Sequence, residues 1–180
     1  NRCVELLSPS ILASANPVVV DATLGLGGHS EALLEKFSHL TVIGIDRDSQ
    51  ALEKARHRLA AFGDRFKSAH SVFDQLTNVI ENCGISHING VLFDLGVSSM
   101  QLDETSRGFS YSHDAPLDMR MDTSDTSIAT AADLVNTLPE EDLANLIYKY
   151  GEDRLSRRIA ARIVEKRKER PYRTTGELEE

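Results

Sequence analysis

Val18-Val19-Val20-Asp21-Ala22-Thr23-Leu24-Gly25-Leu26-Gly27-Gly28-His29 is the stretch whose reading decides the fold. The valines read as a buried strand that ends in a carboxylate. Three glycines then fall within four positions, 25 to 28, and make a tight turn. Ser30 to Phe37 can continue as a helix. A glycine-rich turn between strand and helix lets backbone N–H groups approach a ligand closely, and the helix N-terminus favours a negative group there. Nucleotide-like cofactors bind at such turns in α/β folds. The competing reading is a tight turn with no ligand, for which three glycines are more than is needed.

The glycines follow the dinucleotide fingerprint only in part. Gly25-x-Gly27 fits, but Ser30 stands at the third glycine position, and Gly28 directly follows Gly27. An acid before the glycines, here Asp21, is instead the habit of S-adenosylmethionine (SAM) methyltransferases. A second apolar run, Leu40-Thr41-Val42-Ile43-Gly44-Ile45-Asp46, ends in an acid 21 positions after Gly25. An acid about 20 residues past the turn can accept the ribose hydroxyls of a nucleoside. Asp46 is that candidate; its alternative is a loop acid capping the next helix, a role Asp48 and Ser49 can share.

Around these two runs, strands are expected at 17–21, 40–46, 66–70 and 90–95, and helices at 30–37, 49–61 and 74–82. Ala51, Leu52, Ala55 and Leu59 give the second of these helices an apolar stripe. The alternation implies an α/β fold with a parallel sheet, whose ligands gather at the carboxyl ends of the strands. Gly28, Asp46, Phe73 and Asp94 all fall at or just after such ends. Residues 96–126 have no clear period, and a loop that long is often functional. Residues 127–170 read as helices only. Pro139 and the acids after it open one, with Leu143, Leu146 and Ile147 on its apolar face. Leu155, Ile159 and Ile163 carry another, and Thr174-Thr175-Gly176-Glu177 resembles a capping box.

Composition narrows the function. The chain has 180 residues and is 41% hydrophobic, enough for a core. A net charge of −8 argues against a generic polyanion binder. Two distant cysteines, Cys3 and Cys83, suit a reducing cytoplasm, and six scattered histidines lack zinc-ligand spacing, so no metal is expected. No apolar run has the length of a membrane span. The chain opens on Asn1 rather than methionine, so a preceding segment is expected.

Asp94 is expected to end the fourth strand, where a methyl acceptor lies in this class of fold. Methyl transfer from a sulfonium mainly needs alignment. An exocyclic amine on a base is a poor nucleophile, and an acceptor for its N–H helps localise the lone pair. Asp94 can do this, can hold the ammonium of SAM, or can merely cap the Gly96 turn.

With Arg107-Gly108-Phe109-Ser110-Tyr111 and Pro116-Leu117-Asp118-Met119-Arg120-Met121-Asp122, the chain resembles the bacterial small-subunit ribosomal RNA cytidine-N4 methyltransferases, methyltransferase H (formerly MraW). The match also covers Asp21 to Ser30, Gly44 to Asp48, Phe93 to Gln101 and Tyr150-Gly151-Glu152, and spans nearly the whole chain. The resemblance implies a class I SAM-dependent methyltransferase with a Rossmann-like parallel sheet. An all-helical domain is inserted into that sheet. It puts the SAM-binding part at 1–102 and the helical insertion, with RNA recognition, at 103–180. A class I sheet has seven strands, so further strands are expected after Glu180. The cofactor the resemblance implies is SAM, held by Gly27, Gly28, His29, Asp46, Phe73, Asp94 and Gln101, with Asp94 also the catalytic candidate. The substrate the resemblance implies is a cytidine in the decoding region of the small subunit. The partner is therefore small-subunit ribosomal RNA in the cytoplasm, with a homodimer as an open alternative and no membrane. Many amino-methyltransferases carry Asp/Asn-Pro-Pro-aromatic after strand four; this chain has Asp94-Leu95-Gly96-Val97, as does the family it resembles.

Several roles stay open on the residues alone. Phe73 can stack on adenine or belong to the core. His29 can meet the carboxylate of the cofactor or cap the helix. Asp118, Arg120 and Asp122 can form a salt-bridged loop, and Met119 and Met121 most simply pack into a core. The basic run from Arg154 to Arg170 reverses the sign of an acidic chain, and Arg157, Arg158 and Arg162 are its candidates for RNA phosphate. A solvated helix face is the alternative. Two rivals remain: a nicotinamide-dependent oxidoreductase, against which the missing glycine and Asp21 argue, and a ribosome-assembly factor that binds SAM or RNA without turnover.

Overall fold

A computed structural model describes residues 2–110 and 112–179; Asn1, Tyr111 and Glu180 lie outside the described residues. The chain forms two compact units, Asn1–Gly96 and Val97–Glu180.

The first unit is built on four parallel strands: β1 (Val18–Asp21), β2 (Thr41–Asp46), β3 (Phe66–His70) and β4 (Gly90–Leu92). Their order is β3-β2-β1-β4, so the chain runs outward from β1 to one edge and returns to the other side of β1. Val19 and Val42 face one side of the sheet and Val20, Ile43 and Ile45 the other, and each set joins its own buried apolar cluster. Burial on both faces is why β1 and β2 read as unbroken apolar runs. Asp21 sits opposite both Gly44 and Leu92, so β2 runs two residues further than β1 and carries Asp46 to its tip.

Helices α1 (Arg2–Leu12), α2 (Gly28–Lys36) and α3 (Ser49–Leu59) cover the Val19 face. Helix α1 was not singled out in the sequence, because Ser8-Pro9-Ser10 interrupts it. Its apolar stripe, Val4, Leu7 and Ile11, nonetheless packs into the core. The hydroxyls of Ser8 and Ser10 donate to the carbonyls of Val4 and Leu7 around the proline. Helix α4 (Leu76–Asn82) packs on the other face through Leu76, Val79 and Ile80.

Two expected boundaries move. Helix α3 ends at Leu59 and continues as a 3-10 turn over Ala60–Arg65. Strand β4 ends at Leu92, so Asp94 lies two residues beyond the strand end rather than on it. The reason is β1: the Ala22 N–H takes the Leu92 carbonyl at 2.9 Å, and the Asp94 N–H donates to Thr23 Oγ1 at 2.7 Å, off the ladder.

The second unit is helical: α5 (Ser99–Asp103), α6 (Ala131–Thr137), α7 (Glu140–Gly151), α8 (Ser156–Lys166) and α9 (Thr175–Glu179). Its core joins Leu117, Val135, Leu143, Ala144, Ala160, Ile163 and Tyr172. Helix α5, which lies in the stretch with no period, starts with a capping box between Ser98 and Gln101. The expected Thr174–Glu177 box opens α9, and Arg170 ion-pairs with Glu177. Among the described residues no helix is long and apolar enough to cross a membrane.

Candidate functional site

The glycine turn is held by two carboxylates. Asp21 is wholly buried and accepts from Ser30 Oγ at 2.8 Å and from the Thr23 N–H at 3.4 Å. Burial pushes its carboxyl above the usual aspartate range, while the bonds from Ser30 and Thr23 and the nearby His29 pull it back. Asp21 therefore ties the end of β1 to the first turn of α2. Asp46 closes the turn from the other side. Its Oδ2 accepts the Gly25 N–H at 2.7 Å and its Oδ1 the Asp48 N–H at 2.8 Å. The cap of α3 is Asp48, whose side chain accepts from Gln50 and Ala51, so Asp46 is not the capping acid. A carboxylate has about four acceptor positions. With two of them filled by the backbone, Asp46 still has room for hydroxyl donors.

The turn and the strand beside it need glycine for two reasons, a left-handed backbone and a close approach. Gly27 has φ 80°, and a Cβ there would lie 2.9 Å from Leu59 Cδ1. Gly44, opposite Asp21, lets the turn residue Leu24 pack down, since a Cβ would meet Leu24 at 2.6 Å. Gly25 is left-handed as well, with φ 52°, but a Cβ on it or on Gly28 would meet nothing closer than 3.9 Å. Their outer side is open to a ligand.

His29 is the second residue of α2 and does not cap it. Its Nε2 lies 3.4 Å from Asp94 Oδ2, and the Asp94 side chain is 72% exposed. Phe73 belongs to no core cluster: it is 50% exposed and meets Phe93, itself 49% exposed, edge-on with ring centroids 5.9 Å apart. Leu95, beside Asp94, is more exposed still.

The remaining candidates lie in the second unit. Gln101 is buried; its Oε1 accepts the Ser98 N–H and its Nε2 donates to Met121 Sδ. Asp118 and Arg120 form a two-pronged ion pair at 2.8 and 2.9 Å, which holds the Asp118 carboxyl below its usual range. Asp122 instead accepts from Ser124. The expectation that Met119 packs into a core is corrected: it is largely exposed with φ 59°, its N–H held by the Arg107 carbonyl where the chain passes close over Gly108. The basic run is divided. Arg157 reaches across to Asn145 Oδ1 and the Glu141 carbonyl on α7, and Arg162 pairs with Glu165. Arg167 closes the end of α6 by donating to the Val135 and Leu138 carbonyls. Arg158 and Arg162 line an apolar cavity of about 920 Å³ floored by Leu134, Leu146 and Ile159.

The model of the MraW methylase family matches residues 1–180. The chain belongs to the MraW methylase family. It is 54% identical over 184 residues to the ribosomal RNA small subunit methyltransferase H of Pseudarthrobacter chlorophenolicus, covering 100% of this chain and 55% of that protein. It is 52% identical over 178 residues to the protein of the same name from Kocuria rhizophila, covering 99% and 54%. The crystal structure of an rRNA methylase from Streptococcus thermophilus aligns at 25% identity and a TM-score of 0.44, over 53% of each chain. This MraW family member thus spans about half the length of the curated relatives it matches.

Two residues near the turn were missed in the sequence. Phe93 reads as an inward strand residue only if β4 runs to 95; with the strand ending at Leu92, its ring leaves the core. Thr23 carries no motif signal, because its use as acceptor for the Asp94 N–H depends on a partner 71 positions away.

Proposed function

We propose that this chain holds SAM at its glycine turn and belongs to an enzyme that methylates N4 of a cytidine in the decoding region of small-subunit ribosomal RNA. The observation that carries the proposal is the bond from the Gly25 N–H to Asp46 Oδ2. It brings the turn that would meet the amino-acid end of a cofactor against the acid that would meet its ribose. The residues suit a nucleoside with a cationic tail: Asp46 and Asp94 are anionic, Phe73 offers an exposed ring, and the outer sides of Gly25 and Gly28 are open. The family membership and the names of the curated relatives support the same substrate class.

SAM, when bound, supplies a methyl group on a sulfonium, which needs alignment more than activation. This chain would hold the ribose at Asp46 and the ring at Phe73. Asp94 would accept an N–H of the cytidine amine, localising its lone pair, and take the proton that nitrogen sheds as the N–C bond forms. His29, 3.4 Å from Asp94, would hold that carboxylate in place. Residues 103–180 would grip the RNA while 1–102 hold the cofactor, because a base in folded RNA must be splayed out to reach a methyl donor. Arg158 is better placed for phosphate than Arg157, which α7 already engages, or Arg162, which pairs with Glu165.

The test is transfer of the labelled methyl group of SAM to small ribosomal subunits by the whole protein, with nucleoside analysis of the product. Label on cytidine N4 is expected. SAM binding without transfer would make the protein a binding factor, and binding of NAD in place of SAM would make it an oxidoreductase.

A further inference from the structure

Phe73 and Phe93 leave the sheet from its opposite edges. Phe73 follows β3 and Phe93 follows β4, and the strand order β3-β2-β1-β4 puts β2 and β1 between them. Three strand spacings are about 14 Å, yet the ring centroids are 5.9 Å apart with the planes at 87°. Both loops lean inward to make this contact. The Ser71 N–H donates to the Asp46 carbonyl at 3.0 Å, the last bond of the β2–β3 ladder, so the Phe73 loop starts beside the tip of β2. The bonds from Ala22 to the Leu92 carbonyl and from Asp94 to Thr23 Oγ1 clamp the backbone on either side of Phe93 to the exit of β1.

The pair therefore bridges the carboxyl ends of β2 and β1, where Asp46 and the glycine turn meet. It does so without being core, since each ring is about half exposed and neither joins a buried cluster. Perpendicular rings cover one face of one ring with the edge of the other, which leaves further ring surface open. A leucine at 93 would fill much the same volume but offer no polarised ring edge.

We propose that Phe93 is a positioning residue for the planar ring of the cofactor: it holds Phe73 edge-on across the sheet, so that Phe73 presents its free face to a purine. This rests on the reading of the glycine turn as a nucleoside site and adds a residue to it. Phe93 acts only through Phe73, and it stands next to Asp94 in the chain, so the same backbone segment sets the ring wall and the carboxylate.

The experiment is calorimetric titration of S-adenosylhomocysteine into the whole protein as wild type, Phe73→Leu, Phe93→Leu and the double variant, with thermal melting of each. Phe93→Leu should weaken binding by roughly 2- to 10-fold, the worth of one edge-to-face contact, with the melting temperature unmoved. Phe93→Tyr, which keeps the ring, should recover most of that loss. In the Phe73→Leu background, Phe93→Leu should cost nothing more. Equal losses from Phe93→Leu with and without Phe73, or no loss at all, would overturn the proposal while leaving the nucleoside site standing. Failure of the wild type to bind S-adenosylhomocysteine would overturn both.

Discussion

Asp46 in the sheet unit and Asp118 in the helical unit both hold a loop with a carboxylate, and they do it in opposite ways. Asp46 is met by two backbone N–H groups, one per oxygen. Asp118 is met by the Arg120 guanidinium on both oxygens and by the Arg120 N–H as well. The first arrangement leaves negative charge uncancelled at the tip of a strand. The second cancels it on the spot. Neither arrangement is confined to one unit: Arg58 pairs with Glu31 and Arg65 holds the Leu34 and Phe37 carbonyls in the first, while Ser124 and Thr130 meet Asp122 and Asp133 in the second, so what sets Asp46 apart is its place at the tip of a strand beside the glycine turn. Charge that is consumed builds structure, and charge that is left over at the mouth of a sheet is what a cationic ligand can use.

The sharpest way to break this contrast is at Asp94. Its side chain is mostly exposed and, among the described residues, its ion-pair partner is His29 Nε2 at 3.4 Å. Asp94→Asn should lower methyl transfer by about 100-fold or more, the usual worth of a positioned proton acceptor, with melting unchanged. A variant that melts early would make Asp94 structural. Asp118→Ala should do the reverse. Cutting this partly solvated pair should lower stability by no more than about 1 kcal/mol, seen in chemical denaturation, with SAM affinity intact.

Acidity separates the same two residue classes with opposite signs. The Asp118 carboxyl is lowered by Arg120, so it stays ionised in the folded chain after the unfolded chain has taken up a proton. Its stabilisation is present above the ordinary aspartate value near 3.8 and is lost as pH falls through the lowered one. The Asp21 carboxyl is raised by burial, so the folded chain binds its proton first. Stability tied to Asp21 then declines as pH climbs from about 3.8 through the raised value. Asp21→Asn should remove a component that falls with rising pH, and Asp118→Asn one that grows with it. Denaturation midpoints across the acid range would show matching slopes if the contrast is wrong.

The smallest effect should separate two neighbouring arginines. Arg158→Gln should reduce the salt slope of RNA binding by about one, whereas Arg157→Gln should mainly loosen α7 against α8. Equal slopes in the two variants would return both to a solvated face.

What could be read in the sequence is what depends on neighbours in the chain. Strands β1 and β2 were legible because both faces of the sheet are covered, which makes their apolar runs continuous. Helix α3 was legible from Ala51, Leu52, Ala55 and Leu59, all buried. The proximity of Asp46 to the glycine turn was legible from spacing. Helix α1 was hidden by Pro9, and what carries it is the packing of Val4, Leu7 and Ile11 against partners remote in the chain. The early end of β4 is set by the turn after β1, some 70 residues away in the chain, and the exposure of Phe93 follows from it. The partners of Arg157 and Arg167 are equally remote, so a basic run that looked uniform proves to be divided.

The most direct test of the central claim compares SAM affinity in Asp46→Asn and Asp118→Asn of the whole protein. Asparagine at 46 can still accept one backbone N–H but loses the charge that would strengthen bonds from ribose hydroxyls. Each such bond contributes about 1.5–3 kcal/mol, so titration calorimetry should show Asp46→Asn weakened at least about 10-fold and Asp118→Asn equal to wild type. Unchanged affinity in Asp46→Asn, or an equal loss in both, would contradict the account.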